Sequence, residues 1–401
     1  MRESRFQLMD FTQKKNKVQK LHLDRNLQVI FGVTLMAVLG VASIAPAFPK
    51  IMDGLGITSG EVGLLIMVFT LPGIILTPFL GVIADRFGRK KILVPALFLF
   101  AFAGAACGLA KDLKLLLIFR FIQGIGASPL ASLSVTIIGD LYSGKDRSTA
   151  MGYNASVLSI GTASYPAIGG ALALIGWNYP FFLTLLAIPV AIVSIFFLEI
   201  PEPDIVHGFG QYVSGAIKII RNRHVAGLFF VSVATFVILY GSLLTYFPLL
   251  LAGKFGASSL TIGMITSFMS VTTGLVSTQM GRLTRSVSES NLIKAAFLLY
   301  AVALLIIPFV KGLGIFLLPM MIYGLGQGIN IPSIMSAMAG LAPMEHRGVL
   351  MSVNGMVLRI GQTLGPLVMG IAFIAWGIDG TFFLGAAIAI AVFGIISVVL
   401  K

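Results

Sequence analysis

Arg120 and Arg359 each stand inside an apolar run, while Asp85, Arg86, Arg89, Lys90 and Lys91 crowd the short segment GVIADRFGRKKIL, residues 81–93. A guanidinium among apolar side chains must be met by water, backbone carbonyls or an anionic group, because an unpartnered charge in hydrocarbon is costly. Its planar fork of donors suits a carboxylate better than a point charge does. At 1.5 Å per residue, Arg120 lies about 9 Å along a helix from Lys114, and Arg359 about 18 Å from Arg347. Arg120 shares its helix face with Gln123 and Ala127, and Arg359 shares its face with Ser352, Gln362 and Thr363. Both arginines read either as functional charges or as glue that snorkels or caps carbonyls.

In residues 81–93, Asp85 stands at the end of a helix, where the macrodipole disfavours a carboxylate. It needs a positive partner: Arg86, Arg89, or the N-terminal end of another helix. Such a bond would lock two rigid bodies together at one face. Gly81 and Gly88 allow close approach and a sharp turn. The alternative is a basic anchor at a membrane surface, which requires neither the aspartate nor the glycines.

The elements that position these charges follow from composition. The chain has 401 residues, 57% hydrophobic and 11% charged, with a mean hydropathy of +0.98. A soluble protein carries about 25% charged residues, so lipid is the solvent that fits. A span takes about 20 apolar residues. Charge-free runs cover 26–49, 62–84, 92–110, 121–139, 148–198, 225–253, 255–281, 295–310, 312–344, 360–378 and 380–400. The run 148–198 breaks at Gly176 to Pro180 into two, giving twelve spans. Lys and Arg gather in alternate loops, and only Lys50, Lys111, Lys114, Lys254 and Lys311 fall opposite the N-terminus. The net charge of +13 is therefore a topology signal, with both termini cytoplasmic, and not a nucleic-acid footprint. The N-terminus is long and basic and does not read as a cleavable signal. Cys107, the one cysteine, lies in a span, and His22, His207, His224 and His346 are scattered. Neither a disulfide, a metal site nor a cofactor is expected.

An offset of 200 residues aligns the chain with itself. Arg147, Met151, Asn154, Leu158, Ile160, Gly161, Pro166 and Gly170 match Arg347, Met351, Asn354, Leu358, Ile360, Gly361, Pro366 and Gly370. The chain is thus a duplication: a basic cytoplasmic tail over 1–26, a six-span half over 27–199, a cytoplasmic linker over 200–224, and a second six-span half over 225–401. Residues 209–221 of the linker could lie as an amphipathic surface helix. Two parallel halves with a site between them at mid-membrane form a transporter plan.

The segment GVIADRFGRKKIL resembles the signature of the major facilitator superfamily between spans 2 and 3, with Ile83 in place of leucine. RFIQGIGAS, Arg120 to Ser128, resembles the family's Arg-x-x-Gln-Gly motif in span 4. GYNASVLSIGTASYPAIGG, residues 152–170, resembles the antiporter motif of span 5 through Gly152, Gly161, Pro166, Gly169 and Gly170. Tyr165 replaces a glycine there, while Gly365 and Pro366 keep the pair in the second half, so Tyr165→Gly is expected to be tolerated. The resemblance implies an all-α membrane protein of the major facilitator fold, closest to the twelve-span drug:proton antiporter branch. It implies that Gly81, Asp85, Arg86, Gly88 and Arg89 form a gate that holds the halves together inside when the cavity opens outward. It makes Arg120 the candidate for proton coupling, and Gly161, Pro166, Gly169, Gly170, Gly365 and Pro366 a helix-bend motif. Arg285 stands where Asp85 stands in the first half, so the second copy lacks the aspartate lock.

Polar residues in spans are candidates to line the substrate cavity: Gln123, Asn154, Tyr165, Tyr240, Gln327, Asn330, Asn354, Arg359 and Gln362, with Tyr246 beside them. Asn154 and Asn354 read equally as a paired packing device. No acidic residue falls at mid-membrane, and Glu61 with Thr58 reads as a capping box. GDLYSGKD, 139–146, is not a phosphate loop, since it follows a membrane helix and has Asp146 in the magnesium position. No nucleophile–base constellation exists, so an enzyme is not expected. The reading is a monomeric secondary transporter of the cell (inner) membrane that exports small amphipathic compounds against protons. The alternative is an exchanger or facilitator of a neutral or anionic metabolite.

Overall fold

Hydrophobic runs joined by short loops leave the backbone no partner but itself in lipid, which favours helices. The computed structural model describes residues 21–200, 223–341 and 347–399, and these residues fold into helices joined by short turns. The basic tail up to residue 20 and the linker segment 209–221 lie outside the described residues. Ten helical stretches are long and apolar enough to cross a membrane. Leu64–Phe87 adds another crossing, with its apolar part at Leu64–Thr77. The long stretch Val353–Val398 holds two, because Gly377 breaks it at φ 70°, ψ −168°. The count is the twelve expected from the charge-free runs.

The spans are, in order, 1 (Arg25–Ala42 and Phe48–Leu55), 2 (Leu64–Phe87), 3 (Arg89–Cys107), 4 (Leu113–Ala127 and Leu130–Leu141), 5 (Gly144–Ile175) and 6 (Tyr179–Phe182 and Ala187–Phe197). The second half holds 7 (Arg223–Ile238 and Phe247–Phe255), 8 (Ser259–Ser277), 9 (Glu289–Ile306), 10 (Leu317–Leu341), then 11 and 12 on either side of Gly377 within Arg347–Val399. Spans 1 and 7 occupy equivalent places and both are irregular. A 3₁₀ turn at Ala45–Ala47 interrupts span 1, and a π-helical stretch, Leu239–Tyr246, interrupts span 7. Such breaks free backbone groups and frequently mark functional sites.

Helix ends are capped where sequence chemistry provides for it. Asp24 accepts from Leu27 N at 3.2 Å and from the Tyr142 hydroxyl at 2.7 Å. Burial and the Asp24 carboxylate raise the Tyr142 phenol above its ordinary pKa. The capping box also forms: Thr58 donates its N–H and its hydroxyl to Glu61 Oε2, both at 2.8 Å. These bonds hold the exposed Glu61 carboxyl below its usual pKa.

Two apolar cores form: one centred on the first half that also takes in Val237, Tyr246, Leu249 and Met369 of the second, and one within the second half. The halves meet where span 5 lies on span 8 and span 2 lies on span 11, and the short helices Phe48–Leu55 and Phe247–Phe255 also touch. Small residues permit this. A Cβ added at Gly170 would overlap the Ser259 carbonyl oxygen, and one at Gly263 would overlap that of Pro166. One added at Gly63 would come 3.0 Å from Pro366 Cβ. All three lie toward the end remote from the chain termini. At the terminal end, a Cβ on Gly152, Gly281 or Gly340 would meet nothing within 4 Å. The two bodies are thus pressed together at the remote end.

Candidate functional site

The turn between spans 2 and 3 is glycine-dependent: Gly88 has φ 95° and ψ 133°. Arg86 lies over the Phe87 ring at 5.9 Å. Arg89, the first residue of span 3, forms an ion pair with Asp140 at the end of span 4, so the charge expected to serve Asp85 braces two helices of one half. Gly81 and Asp85 belong to the span 2 helix, and their surroundings lie outside the described residues. Glu289 stands at the place equivalent to Arg89, and Gly340 at that equivalent to Asp140. Glu289 instead accepts from Ser336 at 3.0 Å.

Arg120 is fully buried. Its Nε donates to the Leu65 carbonyl at 3.0 Å, and its Nη1 donates to the Gly40 carbonyl and to Gln123 Oε1, both at 2.9 Å. The Phe69 ring lies 4.2 Å from the guanidinium carbon, within cation–π range. Gly40 is in the last turn of the first segment of span 1, where carbonyls run out of intrahelical donors; those of Leu39 and Val41 accept from the N–H groups of Ser43 and Ile44, and that of Gly40 accepts from Arg120. A cation there meets the negative end of the helix dipole. Arg120 therefore joins spans 1, 2 and 4 just before the break in span 1.

Arg359 is different. It is half-buried, and among the described residues its hydrogen-bond partner is Gln362 Oε1 at 3.0 Å. It lies between the halves: a Cβ on Gly73 of span 2 would come 3.0 Å from Arg359 Cγ, Cδ and Nε. One turn further along, Thr363 shares a 2.7 Å hydrogen bond with Thr70 of span 2. Tyr240, in the π-helical stretch of span 7, lies against span 11: a Cβ on Gly365 would come 3.3 Å from the Cβ of Tyr240. Span 7 reaches span 11 closely because Gly361 and Gly365 leave room for Val233, Phe236 and Gly241. Phe236 and Tyr240 form an aromatic pair with centroids 5.9 Å apart.

Several residues expected to line a central cavity turn out to be buried within single halves, because a polar group in an apolar interior takes the nearest partner. Gln123 serves Arg120. Asn154 accepts from Thr34 of span 1 at 2.6 Å. Gln327 accepts from Tyr300, whose ring stacks on Tyr323 at 4.4 Å. Asn330 donates to Thr235 at 2.8 Å. Asn354 reaches Met335 Sδ only weakly, at 3.9 Å, and its carbonyl oxygen has no partner among the described residues. The position equivalent to Thr34 is Ala234, so the second copy has lost that partner.

Tyr165 is 7% exposed within the apolar core of the first half, and a Cβ on Gly161 would lie 3.3 Å from its ring. This placement revises the expected tolerance of Tyr165→Gly. Deleting a buried aromatic costs about 3–5 kcal/mol, so the variant should show a clearly lower melting temperature in detergent, read by thermal unfolding of the purified protein. In the helix-bend motif, Gly161 accommodates Leu35 and Val38 of span 1, and a Cβ on Gly169 would overlap the Ser43 carbonyl. Gly365 faces Gly241, and Pro366 faces Gly63. The backbone N–H of Ala167, next to Pro166, donates to Ser267 Oγ of span 8 at 3.1 Å.

Sequence reasoning missed Thr34, Thr70, Phe69 and the tyrosine pair. Hydroxyls and rings in apolar spans carry no signal of their own until a partner on another helix is known.

The family model described as Major Facilitator Superfamily matches residues 30–258 and 241–401. Multidrug resistance protein 1 of Bacillus subtilis is 27% identical over 351 residues, covering 86% of this chain and 89% of its own. Quinolone resistance protein NorA of Staphylococcus aureus is 24% identical over 356 residues, covering 88% and 90%. Among solved structures, that of the nucleoside transporter NupG superposes with a TM-score of 0.79 at 14% identity, covering 94% of this chain and 100% of the other.

Proposed function

The chain belongs to the major facilitator superfamily, whose members are multi-pass membrane carriers and not enzymes, and we propose that this one exports small amphipathic compounds by alternating access, coupled to protons. The observation that carries this is the asymmetry between its ends. The glycines seated against the opposite half's backbone or proline, Gly63, Gly170 and Gly263, all lie toward the remote end, while nearer the termini Gly73, Gly274 and Gly355 meet only the side chains of Arg359, Ser159 and Thr77. With a half-exposed arginine at the seam, that is the form of an inward-facing carrier. The names of the relatives support drug efflux. The basic loops support placing both termini in the cytoplasm of a bacterial inner membrane. Among the described residues every carboxylate lies at a helix end. Proton coupling in this reading therefore runs through Arg120, water and end-lying acids. The chain works as a monomer.

A second reading, exchange or facilitation of an anionic metabolite, is favoured by the unpaired charge of Arg359. Transport by purified protein in liposomes, with and without a pH gradient, separates the two. A rate that rises with an opposing proton gradient supports antiport, and a rate indifferent to it overturns the antiport reading.

The gate proposal for Gly81, Asp85, Arg86, Gly88 and Arg89 is tested at Asp85. Asp85→Asn removes a charge that a helix N-terminus or a cation would hold. Transport should fall at least fivefold with expression near wild type, and cysteines placed at the inner mouth should become more accessible. Unaltered transport and accessibility would remove Asp85 from the gate.

A further inference from the structure

We propose that Arg359 and the aromatic pair Phe236–Tyr240 form a subsite for the anionic group of an aromatic substrate, so that this carrier prefers compounds joining a flat apolar body to one carboxylate or similar anion. The inference rests on the transporter reading above and adds to it the class of substrate.

The contrast between the two membrane arginines carries the argument. Arg120 is wholly buried and bound to two carbonyls, a glutamine and a ring. Three of its five N–H donors are taken, and the unpartnered Nη2 is wholly buried with the rest of the side chain, closed to a ligand. Arg359 has one hydrogen-bond acceptor among the described residues, Gln362, and remains half-exposed. A guanidinium offers five N–H donors, so most of its fork is available. Its stem is seated against Gly73 of the opposite half, where a side chain would displace it. The charge is thus held on the boundary that alternating access must open and close.

The neighbouring surface fits the rest of such a ligand. Phe236 and Tyr240 are both half-exposed, in contact with each other, and brought beside span 11 by Gly361 and Gly365. Tyr240 lies against span 11 within about two turns of Arg359, where a Cβ on Gly365 would come 3.3 Å from the Cβ of Tyr240. A ring stacked on this pair would carry its carboxylate to the arginine, where a bidentate pair forms. With no carboxylate of the protein paired to Arg359 among the described residues, the ligand supplies the counter-charge, and membrane burial raises the value of doing so.

The test is equilibrium binding to the full chain in detergent, which needs neither transport nor a pH gradient. The probes are a naphthalene carboxylate and its uncharged methyl ester. Wild type should bind the acid at least tenfold more tightly than the ester. Arg359→Gln should abolish that preference while leaving the affinity for the ester within twofold, and Arg359→Lys should fall between, keeping the charge but losing the fork. Gly73→Ala, which moves the arginine without removing it, should also weaken binding of the acid alone. Chloride at the concentration of the acid should leave the acid's affinity within twofold; full competition at that concentration would make this a general anion site filled by salt and overturn the substrate class. Equal binding of acid and ester by wild type, or a preference that survives both Arg359→Gln and Gly73→Ala, overturns the subsite. Ester export by liposomes in that event would leave the transporter reading standing.

Discussion

Arg120→Ala is expected to lower the melting temperature of the purified protein by several degrees and to abolish transport. The side chain satisfies the Gly40 and Leu65 carbonyls and Gln123 from within one half. Its removal leaves the orphan carbonyl of Gly40 buried without a partner, at about 1–3 kcal/mol, and leaves Gln123 Oε1 only the weak 3.9 Å contact from the Cys107 thiol. The loss of the Phe69 contact adds to this. Arg120→Lys should rescue little, since an ammonium cannot reach two carbonyls and an amide with the same fork. Thermal unfolding followed by size-exclusion chromatography measures the first effect, and liposome uptake the second. The coupling role predicts a different pattern: a variant as stable as wild type, without gradient-driven transport, that still exchanges substrate for substrate. Stability within a degree of wild type would show that the tie among spans 1, 2 and 4 is not what the arginine is kept for.

Gly170→Ala and Gly263→Ala should each stop transport with the fold intact. At both positions even a methyl group would overlap a backbone carbonyl of the opposite half, that of Ser259 or Pro166. Backbone cannot yield as a flexible side chain can, so the remote end should be wedged apart. The expected result is export below a tenth of wild type, with cysteines placed at the remote mouth reacting faster with an impermeant thiol reagent. Cys107 is buried and leaves the background quiet. Gly169→Ala is the control, because its overlap is with Ser43 of the same half. It should lower stability without opening the mouth. Wild-type rates in Gly170→Ala and Gly263→Ala would mean that the two halves need not close there.

The sequence made the fold legible because lipid leaves few solutions: charge-free runs became spans, and the 200-residue repeat became two halves. The capping box at Thr58 and Glu61 was readable for the same local reason. The site was less so. Burial of Arg120 followed from its place in a run, but its partners Gly40 and Leu65 use backbone atoms that any residue type supplies. Gln327 and Asn330 looked like cavity residues because they are polar and in a glycine-rich span. Their partners, Tyr300 and Thr235, lie on other helices, and only packing pairs them. For Asp85 the motif is the clearest in the chain, but its surroundings lie outside the described residues; Arg89, one of its two candidate arginines, is bonded to Asp140.

The unequal wiring of the two copies has an evolutionary reading. The first copy keeps Arg89–Asp140, the Arg120 cage and Thr34–Asn154. The matching places in the second hold Glu289 with Gly340, Met320, and Ala234 beside a stranded Asn354. The second copy carries an ion pair elsewhere, between Lys254 and Asp379 at the remote end, and its interior charge stands at Arg359, where the first copy has Ser159. A gene fused to itself can thus divide its labour, with one copy braced around a buried charge and its twin holding a charge at the seam, open to new cargo.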